Sequence, residues 1–153
     1  MKGRIVSINI ADEKKKPKRT IAEGLLVKDI GLDGDAYNKP GARQISITSV
    51  EEILAQKECQ RVSRNPDFSV KSGDFSETLT IEGIHISQIE IGDIFHIGKT
   101  AVIKISEKGM SCYKFCPCGK EKNECPLPKH FLFAEVIENG TVKIGDEIIF
   151  CYS

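Results

Sequence analysis

Four cysteines, Cys112, Cys116, Cys118 and Cys125, crowd one short segment of a 153-residue chain that holds six in all. The surrounding residues read Lys108-Gly109-Met110-Ser111-Cys112-Tyr113-Lys114-Phe115-Cys116-Pro117-Cys118-Gly119. Three chemistries suit such a cluster. Cysteine attacks, or carries sulfur, as its thiolate, and nearby cations favour that form. Lys108 and Lys114 flank Cys112 in sequence, so their ammonium groups activate it if they approach its sulfur. Cys112 is accordingly the candidate catalytic residue, as nucleophile or sulfur carrier. A disulfide of Cys112 with Cys116 or Cys125 is a redox variant of the same reading. Alternatively, four thiolates hold zinc tetrahedrally, and the step from Cys112 to Cys116 falls within ligand spacing. Cys116-Pro117-Cys118 is tighter than adjacent ligands usually stand, and the full spacing matches neither ferredoxin arrangement. The third reading is structural, with cysteine as a small apolar residue. It is preferred for Cys59 and Cys151. It suits the cluster less, because the Gly, Pro, Lys and Glu around it do not resemble a core segment.

Two further stretches are dense in polar groups. Gly31-Leu32-Asp33-Gly34-Asp35-Ala36-Tyr37 leads, a few residues on, to Arg43-Gln44 at the head of a strand pattern, and Gly73-Asp74-Phe75-Ser76-Glu77-Thr78-Leu79-Thr80 is another loop-to-strand junction. A β-turn accounts for each taken singly. Arg43 stands out because its planar fork of donors suits phosphate or carboxylate, although an arginine there also serves as a surface residue or half of an ion pair. Lys14, Lys15, Lys16, Lys18 and Arg19 make a basic run around Pro17. A solvated loop or hairpin tip is the preferred reading of that run; a docking patch for a phosphate-bearing ligand or an acidic partner is the other. His85 and His96 fall in alternating strand context, and His130 follows Cys125 at a distance that could add a ligand. No Ser-His-Asp ordering, phosphate-cradling loop or paired-carboxylate motif stands out.

The elements that must position these groups are mainly strands. Period-two alternation rich in β-branched residues recurs at residues 4–10, 43–48, 79–82, 94–97, 101–105, 131–136 and 147–151. One helix is signalled by Ser49 as cap with Glu52 three residues later; Ile53 and Leu54 give it an apolar side, and Pro66 ends any continuation. Ile91-Gly92-Asp93-Ile94 returns as Ile144-Gly145-Asp146-Glu147. Each Gly-Asp pair predicts a tight turn into a strand. Many short strands with such corners predict a mostly β fold, a closed or nearly closed barrel with one or two short helices, in a single domain over 1–153. The 22 basic and 22 acidic side chains cancel, so no overall field steers the chain to nucleic acid or to a membrane surface. With no membrane-length apolar run and no signal-peptide pattern, a cytoplasmic protein with reduced thiols is expected.

In order along the chain, Gly31–Asp35, Arg43-Gln44-Ile45-Ser46, the Gly73–Thr80 junction, Gly92-Asp93, the loop holding Cys112, and Gly145-Asp146 resemble the MOSC family, named for the C-terminal domain of molybdenum-cofactor sulfurase. Cys112, Cys116 and Cys125-Pro126 resemble its small stand-alone bacterial form, with Cys118 as an extra. The resemblance implies a MOSC-type β-barrel that handles the pterin-bound molybdenum cofactor, with Cys112 carrying sulfur or meeting the metal. It implies a cofactor site of Arg43, Gln44, Asp35, Tyr37, Glu77 and Thr78. It also implies a sulfur donor and a molybdenum-cofactor biosynthesis protein or molybdoenzyme as partners. Pyridoxal phosphate belongs to a separate domain of larger relatives, and no strand–lysine site for it is evident here. Two departures stand out: Tyr37 where the family often has His, and Thr78 where it often has Asn. Tyr keeps a hydroxyl but loses an imidazole proton shuttle. Both changes touch turnover more than ligand binding.

Overall fold

The computed structural model describes residues 1–55, 72, 76–109 and 131–151. β-branched residues at alternate positions extend the chain into strands wherever one face can be buried, and eleven form among the described residues: β1 (Lys2–Ile10), β2 (Arg19–Ile21), β3 (Glu23–Val27), β4 (Gly31–Leu32), β5 (Ile45–Ser49), β6 (Leu79–Glu82), β7 (Ile94–Ile97), β8 (Ala101–Lys108), β9 (Leu132–Glu138), β10 (Gly140–Lys143) and β11 (Glu147–Cys151). One sheet runs β11-β7-β8-β9-β5-β6-β1, and β1 pairs back onto β11, closing a seven-stranded barrel. Its pairs are antiparallel except β5 with β6. β1 serves two neighbours on one edge. Lys2 to Arg4 meet β11, and Ile8 to Ile10 meet the appended β2. A second sheet, β10-β3-β4, stands beside the barrel.

The interior is packed largely with isoleucine. Ile5, Ile8, Ile45, Ile47, Leu79, Ile81, Phe95, Ile97, Ile103 and Ile105 all belong to one cluster, each at most 1% exposed. Removing each such side chain from water contributes about 1.5–3 kcal/mol. Alternation alone would send the residues between them to solvent. Instead Asn9, Ser46, Thr48, Thr78 and Thr80 are also buried, so both faces of β5 and β6 are covered. Two bulges feed that polar face. Ile5 opposes Ile81 whereas Ser7 opposes Thr80, and Ile105 opposes Ala134 whereas Glu107 opposes Phe133. An extra residue in one strand changes which face the following side chains occupy.

The repeated Gly-Asp pairs form corners with the same hydrogen bonds. Gly92 N–H donates to Ile105 O and Ile105 N–H to Asp93 O, at 2.8 and 2.9 Å; Gly145 and Asp146 make the same two bonds with Ile5, both at 2.8 Å. In each corner the aspartate Oδ2 accepts a backbone N–H three residues back, from Glu90 and from Lys143. The glycine φ values, +97° and +94°, explain the residue choice. The helix α1 (Val50–Ala55) begins as expected, with Ser49 Oγ accepting from Glu52 N–H at 3.1 Å. Pro66, proposed to end it, lies outside the described residues. No helix among the described residues is long and apolar enough to cross a membrane.

Candidate functional site

Beside the start of β5, the loops before β2 and before β5 meet β9 and the approach to β6 around a cavity of about 360 Å³. Its wall includes Lys18, Asp35, Tyr37, Lys39, Arg43, Gln44, Ser46, Thr78, Phe131 and Phe133. Local bonding explains why these side chains converge. Asp35 is buried, its Oδ1 accepting from Ala11 N–H at 2.8 Å and its Oδ2 from Tyr37 N–H at 3.3 Å. One carboxylate therefore ties the end of β1 to the loop before β5. Tyr37 Oη accepts from Lys15 N–H at 2.8 Å, fastening the basic loop to the same place. Gln44 is 5% exposed and bridges two backbones, Nε2 donating to Gly41 O and Oε1 accepting from Val136 N–H. Its amide thus shapes the wall. Gly31 lies behind it at φ +125°, where a Cβ would stand 2.4 Å from Gln44 O.

One charge of the cavity wall, that of Arg43, is held in an ion pair. Arg43 Nε donates to Glu107 Oε2 at 2.8 Å, and its guanidinium lies 4.4 Å from the Phe133 ring centroid, within cation–π range. The basic run does form the connection of the β1–β2 hairpin, with Lys14, Lys15 and Lys16 exposed. Arg19 is taken up by Asp12 at 2.8 Å. Lys18 differs from its neighbours. It is half-buried and turned into the cavity, its Nζ 5.6 Å from the Tyr37 ring centroid. Burial lowers its pKa from the usual lysine value, while the charges of Asp35 and Glu77 act in the opposite direction. Behind the wall, Glu77 is fully buried and accepts from Thr80 Oγ1 at 2.9 Å. Thr80 in turn accepts from Asn9 Nδ2, which also donates to Glu77 O. Thr78 Oγ1 lies 3.2 Å from Ser46 Oγ and accepts from Ser46 N–H.

Of the cofactor residues expected from sequence, Asp35, Tyr37, Arg43, Gln44 and Thr78 thus line one cavity, and Glu77 is buried near it. Cys112, Cys116, Cys118 and Cys125, with Cys59, His130 and Gly73 to Phe75, lie outside the described residues. Among the described residues no group of three His, Cys, Asp or Glu side chains could hold a metal. The chain on either side of the cysteine segment is placed, however. Gly109 N–H donates to Phe131 O at 2.7 Å, and Phe131 lines the cavity. Lys108, one of the two cations flanking Cys112 in sequence, donates to Ser87 O and Ile89 O, at 3.1 and 2.7 Å. Cys151 is a half-buried free thiol rather than a core residue, and His85 and His96 are exposed. Sequence reasoning missed Phe131, Phe133, Ser46 and Glu107. All four fall in recognised strands or beside them, but alternation does not say which outward face borders a cavity.

A seven-stranded barrel with a partly apolar, cation-bearing cavity beside one strand defines the class of this protein. The MOSC domain family model matches residues 34–149, and the chain belongs to that family of molybdenum-cofactor-associated domains. Solved structures share the fold. The YuaD protein of Bacillus subtilis is 17% identical with a TM-score of 0.75, covering 100% of this chain and 98% of its own. YiiM of Escherichia coli is 22% identical with a TM-score of 0.71, covering 100% of this chain and 71% of its own. YiiM of Geobacillus stearothermophilus is 21% identical with a TM-score of 0.74, covering 98% of this chain and 75% of its own. No curated protein matches the sequence. The cavity fits the cofactor the family is associated with. Its volume is in the range of small-molecule sites, two phenylalanine rings offer apolar surface to a flat ring system, and Lys18, Lys39 and Arg43 offer donors to a phosphate.

Proposed function

We propose that this protein handles the molybdenum cofactor, holding its phosphate-bearing pterin in the cavity while Cys112 carries sulfur. The observation that carries this reading is the shared location: Phe131, bonded to Gly109 across the cysteine segment, lines the same cavity as Lys18, Tyr37 and Arg43. Arg43 and Lys18 contribute charge-assisted donors to the phosphate, and Phe131 and Phe133 cover the ring and exclude water. Asp35 and Tyr37 keep the basic loop in place. The bound cofactor would supply a sulfur-accepting metal centre. Sulfur loading at Cys112 is an exchange in which its thiolate attacks the outer sulfur of a donor persulfide, the donor S–S bond breaks, and the donor cysteine leaves as thiolate. Incubation with a labelled persulfide donor is expected to leave label on wild-type protein and none on Cys112→Ser, with unchanged thermal unfolding. Equal labelling of the two would end the sulfur-carrier reading.

A second reading, a cofactor-binding module without sulfur chemistry, is favoured by Lys108, whose ammonium serves backbone carbonyls. Saturable binding of the cofactor that survives Cys112→Ser, with no label uptake by wild type, selects it.

A further inference from the structure

We propose that Glu107 is a positioning residue for Arg43, acting through a hydrogen bond rather than through its charge; this rests on the anion-binding reading of the cavity. An arginine side chain has many rotamers, and an anion that recruits a free one must immobilise it. Here two contacts do so in advance. The guanidinium lies over the Phe133 ring, and its Nε–H is held by Glu107 Oε2 at 2.8 Å. Both partners come from one cross-strand pair, Glu107 on β8 and Phe133 on β9. The bulge between Ile105 and Glu107 puts the carboxylate on that face. Ser106, within the bulge, donates through Oγ to Ala42 O, next to Arg43 itself. Among the described residues no second partner takes the guanidinium donors. Arg43 itself lines the cavity.

A counter-charge and an anchor predict opposite responses. Glutamine at 107 still accepts from Nε–H but carries no charge, whereas alanine removes both. Titration calorimetry with inorganic phosphate on the whole protein separates them. Phosphate is expected to bind wild type and to bind Arg43→Ala much more weakly. Glu107→Gln should match wild type or exceed it by up to about fivefold, as a half-exposed counter-charge is released. Glu107→Ala should bind about fivefold more weakly, because Arg43 must be ordered again. In parallel, NMR should find the Arg43 Nε–H exchanging slowly with water in wild type and Glu107→Gln and rapidly in Glu107→Ala. Alanine binding as tightly as wild type or tighter overturns the proposal, and so does equal weakening by both substitutions. Phosphate binding lost in Arg43→Ala but untouched at residue 107 removes Glu107 alone. Wild type that binds no more phosphate than Arg43→Ala removes the anion-binding reading together with this one.

Discussion

Lys18 is the residue at which stability and binding are set against each other. Its half-buried ammonium has a pKa lowered by desolvation from the ordinary 10.5. Below the lowered value the group is charged in the folded and unfolded chain alike, and its burial costs stability. Above 10.5 it is neutral in both and that cost is gone. Between the two values the unfolded chain binds more protons, so this group's contribution rises with pH. Lys18→Met is therefore expected to be more stable than wild type at pH 7, with the advantage shrinking as pH approaches 10.5. The same substitution should weaken phosphate binding about tenfold, the loss of one charge-assisted contact. Urea unfolding at several pH values, beside phosphate titration, checks both. A variant less stable than wild type at pH 7 would show that Lys18 is retained for packing.

Among the elements, the two Gly-Asp corners share one geometry, so equal changes should have equal effects. Neither Gly92 nor Gly145 has an atom within 4 Å of an added Cβ. Gly92→Ala and Gly145→Ala should each cost about 1–2 kcal/mol, the penalty for an alanine held at positive φ, measured by thermal unfolding. A much larger loss at one would show that its turn does more than admit a strand. These corners were legible because Gly-Asp carries its own turn chemistry. The seven alternating segments read from sequence correspond to the seven strands of the barrel, β1, β5 to β9 and β11. β2 and β4, of three and two residues, are too short to display a period. Ile5 and Ile8, three apart and both in the core, show where β1 breaks alternation. By contrast, Ser46 and Thr80 read as solvent-facing, because period two reports the face of a side chain and not what covers it. Of the site, Arg43 stood out by its own donor chemistry, while Asp35 and Tyr37 came through family resemblance. The inward turn of Lys18, in a run whose neighbours face water, has no signal in a single sequence.

At the scale of the molecule, closure joins residues far apart in the chain: Lys2 to Arg4 pair with Glu147 to Ile149. The barrel is incomplete until its first and last strands meet, so much of the ordering cost precedes the gain from closure. Refolding from urea is expected in the millisecond-to-second range typical of non-local β topologies. Stopped-flow measurement of the main phase checks this, and microsecond refolding would contradict closure as the slow event. Closure also lets a cavity made by Lys18, Arg43, Thr78 and Phe133 draw on residues from more than half the length of the chain.

The bulge in β8 has a consequence for how this lineage can gain and lose residues. Because two residues there oppose one on β9, position 106 is surplus to the pairing. A chain shortened by one codon at Ser106 keeps Ile105 inside and Glu107 beside Phe133. The same deletion at Lys104 would turn Ile105 toward water and unseat the interior. Expressed side by side, the first deletion should yield soluble folded protein and the second should not, marking 106 as a place where length can drift without scrambling what lies downstream.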